Sequence, residues 1–213
     1  MKLLLRINLI ALVLVLGAIV WLRFGRTTAP DDHSASYAKL VGRIVPDFEL
    51  TESRGTPVTL STIKGRIWVA NLMFATCNGV CLRLGEQMKS LDSQLGPRDD
   101  IRLVSISVNP EADTPENLRK YAEGLKASAK WLFLTGSRSE ITKLATGGFA
   151  LSAGTAEVLT HSDKLVLIDR EGVVRGYFDG EKPESIPQIV EAIARLNQPI
   201  STPKSFSQKP NQP

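Results

Sequence analysis

The sequence predicts an α/β domain, a central sheet covered by helices on both faces. Apolar runs rich in β-formers recur at 67–74 and 101–108, and stretches of helical spacing lie between them. The later run 164–178, "KLVLIDREGVVRGYF", reads as a hairpin turning at Glu171–Gly172.

The chain opens with "MKLLLRINLIALVLVLGAIVWLRFG", apolar from Leu9 to Leu22 and flanked by Lys2, Arg6, Arg23 and Arg26. A helix from Ile7 to Phe24 would span about 27 Å, close to the hydrocarbon thickness of a bilayer. Arg6 and Arg23 can snorkel to the two interfaces, where Trp21 also fits. No small-x-small cleavage site follows directly, so residues 1–25 are expected to be an uncleaved transmembrane anchor. The expected orientation keeps the short N-terminus inside and the domain on the outer (periplasmic or equivalent) side.

Residues 26–39, with "TTAPDDHSASYAK", are polar and small and read as a flexible linker. Residues 198–213, "QPISTPKSFSQKPNQP", carry too few apolar side chains to fold and read as a disordered tail. The folded unit is expected between them, from Leu40 to Asn197.

Within that unit, "PDFELTESRGTPVTL" supplies a first hairpin, and "IWVANLMF" is a strand buried on both faces. Leu84, Met88, Leu91 and Leu95 share one face of a helix over Leu82–Leu95. "IRLVSISV" and "KWLFL" (130–134) give two further strands, and helical spacing returns in Glu116–Leu125, Glu140–Ala145 and Glu184–Leu196. "DTPENL" opens the first of these three with a cap followed by proline, which gives its acidic residues a structural role.

The 213 residues are enough to bury a core without disulfide staples. The net charge of +4 is scattered, and no face interleaves Lys and Arg with aromatics, so nucleic-acid binding has no support. Only two cysteines and two histidines occur. Any metal site must therefore be built from very few donors.

Cys77 and Cys81 stand in "CNGVC", with three residues between them. Cys77 falls in the loop after strand 67–74, and Cys81 in the first turn of the next helix. Open α/β sheets place their ligands at this carboxyl end of a central strand. Free N–H groups and the helix dipole favour thiolate there. Positions i and i+4 share a helix face, so both sulfurs can meet one ion.

Three readings stay open. A structural disulfide is one, although its short loop removes little chain entropy. A redox dithiol with Cys77 and Cys81 as the catalytic pair is the second. A thiolate metal site is the third, and it needs another donor. His161, in "EVLTHSDKLVLID" at the end of the Gly-rich "TGGFALSAGTAE", is the candidate. Two thiolates and an imidazole suit copper, whereas zinc would want a fourth ligand. His33 lies on the linker and reads as solvated; Met73 reads as core.

Quoted in chain order, "PDFELTESRGTPVTLSTIKGRIWVANLMFATCNGVC", "ISVNPEADTPENLRKYAE", "LTGSRSEITKLA" and "THSDKLVLIDREGVVRGYFDG" resemble the Sco/SenC proteins. The resemblance covers the whole folded unit and extends to the anchor. It implies a membrane-tethered thioredoxin-like domain that binds copper through a CxxxC pair and a distant His. Carried over by position, the ligands would be Cys77, Cys81 and His161. The implied function is that of a copper chaperone for the CuA centre of cytochrome c oxidase. Its partner would be the CuA-bearing subunit or another cuproprotein client.

Some positions depart from the family pattern. The family loop is usually CPxVCP, and "CNGVCL" has neither proline; Asn109–Pro110 replaces a frequent DP pair, and Thr160 replaces an Asp before the ligand His. Thioredoxins usually place a cis-proline before the corresponding late strand, where this chain has Thr160–His161. A thiol–disulfide oxidoreductase that keeps client cysteines reduced is the alternative function. A thiol peroxidase is a third, with no supporting Arg or Thr pattern.

Overall fold

A seven-stranded mixed sheet organises the protein in a computed structural model that describes residues 37–75, 80–151 and 162–198, with backbone alone for Val80 and Cys81. The chain divides into two units, Met1–Lys39 and Leu40–Pro213. The predicted anchor lies outside the described residues, as do most of the linker and nearly all of the tail. Among the described residues no helix is long and apolar enough to cross a membrane.

The strands are β1 (Glu49–Glu52), β2 (Pro57–Thr59), β3 (Ile67–Met73), β4 (Ile101–Ser107), β5 (Trp131–Thr135), β6 (Lys164–Ile168) and β7 (Val174–Asp179). Their order in the sheet is β2-β1-β5-β4-β3-β6-β7. The central β3, β4 and β5 run parallel, and antiparallel pairs extend the sheet on both sides. The helices are α1 (Leu60–Ile63), α2 (Val80–Leu95), α3 (Pro115–Leu125), α4 (Arg138–Thr142) and α5 (Ser185–Leu196).

Every residue of β3 is buried, as its unbroken apolar run predicts for a strand covered on both faces. Ile67, Val69 and Met73 join Leu84, Met88 and Leu91 of α2 and Ile186, Ile189 and Ile193 of α5 in one core. Met73 is therefore core. Asn71 is the polar exception, and β4 supplies its partner: Ser105 stands opposite, donates to Asn71 Oδ1 (2.7 Å) and accepts from Trp131 Nε1 (2.9 Å). Such a connected network keeps a polar side chain affordable within the sheet. On the opposite face Trp68 packs edge-on against Phe149 (5.9 Å between centroids) and tilted against Phe48 (6.5 Å).

The predicted hairpin is present as β6 and β7. Asp169 shapes its turn by accepting from Glu171 N and Val173 N, and Gly172 adopts φ +85°. Helix Glu140–Ala145 differs from expectation. Ser137 accepts from Glu140 N and so caps the helix earlier, at Arg138. The chain then widens into a π-helical turn over Lys143–Gly148. A Cβ at Gly148 would lie 3.2 Å from Pro46 and 3.5 Å from Val45, so the wide turn ends in close backbone packing.

At the amino ends of the parallel strands, Lys130 forms a buried ion pair with Asp92. Burial raises the Asp92 carboxyl, but hydrogen bonds from Lys130 and Ser128 outweigh it and hold the group below its ordinary value.

Candidate metal centre

Cys77 and His161 lie outside the described residues, and the side chain of Cys81 does too. Their frame is described. β3 ends at Met73, four residues before Cys77, and Cys81 is the second residue of α2. The first turn of α2 contains no acidic residue, so nothing there opposes the helix dipole's preference for thiolate.

His161 precedes Lys164, the first residue of β6, by three positions. β6 is the antiparallel neighbour of β3, with Ala70 opposite Val166. The amino end of β6 therefore lies beside the carboxyl end of β3. Three or four residues reach at most roughly 14 Å. The two segments that carry the candidate ligands thus start from adjacent strand ends.

Both sides of the His161 segment are fixed. Before it, Phe149 and Leu151 are buried, and the Tyr177 hydroxyl donates to Phe149 O (2.7 Å). After it, Gly180 N donates to Asp163 O (2.6 Å), and Arg83 of α2 pairs with Glu181. The start of α2, the end of β7 and the approach to β6 are joined at this point. A Cβ on Gly180 would collide with Leu84 Cδ2 and fall 2.8 Å from Asp163 O. Gly180→Ala is expected to cost about 1–3 kcal/mol through overpacking. Urea denaturation checks this, and an unchanged midpoint would contradict it.

One residue at this edge was read in the sequence only as part of the capped opening of α3. Thr114 caps α3 by accepting from Asn117 N (3.3 Å), and Glu116 pairs with Lys120 (2.8 Å). Asp113 has neither role. It is 0% exposed, and its Oδ2 accepts from Ser107 Oγ (2.6 Å) and Ala75 N (3.0 Å). The sequence signal was slight: an acidic residue immediately before a threonine that already suffices as the cap. Among the described residues no group of three or more His, Cys, Asp or Glu could hold a metal.

The SCO1/SenC family model matches residues 38–198. The SCO1 protein homolog of Bacillus subtilis (strain 168) is 30% identical over 155 residues, covering 70% of this chain and 80% of the relative. A Stutzerimonas stutzeri protein named for copper binding is 28% identical over 162 residues, covering 70% and 78%. Two solved structures share 29% identity with this chain. One, a SCO1/SenC family lipoprotein from Bacillus anthracis str. Ames, has TM-score 0.67 and is matched over 75% of this chain and 97% of its own. The other is BsSco, a Sco-family cytochrome c oxidase assembly protein described with a disulfide switch, at TM-score 0.66 over 73% and 94%. The fold is the α/β thioredoxin-like fold of Sco proteins. The chain belongs to the SCO1/SenC family.

Proposed function

We propose that this protein is a membrane-anchored copper chaperone that carries copper on the Cys77 and Cys81 thiolates and the His161 imidazole. The observation that carries the reading is the antiparallel pairing of β3 and β6, whose adjacent ends lead into the CxxxC loop and out of the His161 segment. The donor set suits copper, with soft sulfur favouring Cu(I). Copper is cargo here. Release calls for a client cysteine to displace one ligand, and the client is the CuA-bearing subunit of cytochrome c oxidase or another cuproprotein. The copper-named relative and the oxidase-assembly relative point the same way. The apolar residues 1–25 hold the domain at the outer face of a membrane, a placement the lipoprotein relative supports.

A second reading has its own support. The disulfide switch described for BsSco favours a dithiol role for Cys77 and Cys81, in which the protein reduces client cysteines before metal delivery. His161 separates the two. Competition of the reduced protein with a chromophoric Cu(I) chelator is expected to give one tight equivalent, and His161→Ala to weaken it about tenfold or more. Binding should also weaken at lower pH, because thiolate ligands must be deprotonated. Weak binding indifferent to His161 would leave the dithiol reading.

A further inference from the structure

We infer that Asp113 is a positioning residue of the CxxxC loop: its buried carboxyl fixes the peptide leading into Cys77 and so sets how the two cysteines meet. For copper this rests on the reading above; for the dithiol it stands without it.

Helix capping does not account for Asp113, because Thr114 already serves α3. The Asp113 side chain turns inward, and its Oδ2 accepts from Ala75 N (3.0 Å), the amide two residues before Cys77. Ser107 Oγ donates to the same oxygen (2.6 Å) and accepts from Asn109 N (3.0 Å). Ser107 stands opposite Met73 in the β3–β4 register, and Val108 N donates to Met73 O (2.8 Å). The carboxyl rides on a fixed turn, with Asp113 N donating to Asn109 O (2.8 Å).

The carboxyl end of β3 is thus held by the sheet up to Met73 and by Asp113 at Ala75. Its second oxygen is buried with no donor among the described residues, which leaves capacity for one more bond. Ligand geometry depends on such supporting contacts, and outer partners are worth about 10–100-fold in metal affinity. "CNGVC" lacks the stiffening prolines, so this pin takes on more of the positioning.

The test equilibrates the full-length protein with glutathione. The Cys77 and Cys81 thiols give two electrons and two protons to glutathione disulfide, yielding the intramolecular disulfide and two glutathiones. Asp113→Ala is expected to lower the equilibrium constant for disulfide formation about tenfold, a rise of about 30 mV in potential. Cu(I) affinity should fall about tenfold alongside. Asp113→Asn, whose amide oxygen can still accept from Ala75 N, should restore most of both. Asp92→Asn disturbs a buried carboxylate elsewhere and should lower stability while leaving both constants unchanged.

An unchanged potential in Asp113→Ala would overturn the inference. So would an equal shift in Asp113→Asn, which would assign the effect to charge, or in Asp92→Asn, which would assign it to general stability. Ser107→Ala loosens the carboxyl without removing it and should shift the constant about threefold in the same direction. It decides the matter if the alanine variant does not fold, and no shift there would refute the pin. A shifted potential in a protein that binds copper only weakly would defeat the copper reading and leave the positioning role standing.

Discussion

Cys77→Ser is expected to abolish tight Cu(I) binding, with a loss of at least about a hundredfold, since even outer-shell partners reach that magnitude. Serine keeps the size of the side chain but replaces a soft, ionisable sulfur with a hard hydroxyl that stays protonated. One thiolate and one imidazole remain, too few to hold Cu(I) against a chelator. The same variant cannot form the intramolecular disulfide, so the dithiol role goes with it. Chelator competition at constant pH measures the effect, with thermal unfolding alongside. An affinity within tenfold of the unaltered protein would remove Cys77 from the ligand set.

Trp68→Ala is expected to have the largest effect on stability, about 3–5 kcal/mol. Trp68 is fully buried near the start of β3, and its ring bridges Phe48 and Phe149 on the sheet face away from α2. Its removal leaves a cavity and deletes both aromatic pairs. Domains of this kind are stable by roughly 5–15 kcal/mol, so about a fifth or more of the total is at stake. Phe149 also anchors the chain shortly before the His161 segment. Urea unfolding reads the loss through the midpoint, and a change under about 1 kcal/mol would mean the cavity closes without cost. Copper affinity of the folded fraction should change far less than stability, because the ring lies behind the sheet from α2.

The two predictions separate what was legible in the sequence from what was not. β3 could be read directly, since a strand covered on both faces needs no alternation, and α2 could be read from Leu84, Met88, Leu91 and Leu95, all now buried. Thr114 and Pro115 marked the start of α3 through local chemistry. Pairing between strands distant in the chain was not legible. Nothing local states that β6 lies antiparallel to β3, although that pairing brings the approach to His161 beside the exit to Cys77. Asp113 was hidden for the same reason, because its partner Ala75 stands 38 residues away and meets it only once β3 and β4 are in register. The π-helical turn over Lys143–Gly148 likewise reflects packing on Val45 and Pro46, which helical spacing cannot report.

The central claim is a site of two sulfurs and one imidazole on a single copper ion. X-ray absorption at the copper edge of the full-length protein, loaded with one equivalent of Cu(I), tests it most directly. The account predicts two sulfur scatterers and one nitrogen scatterer with the outer-shell pattern of an imidazole, and loss of that nitrogen alone in His161→Ala. A first shell of sulfur only, unchanged in that variant, would contradict the three-ligand site.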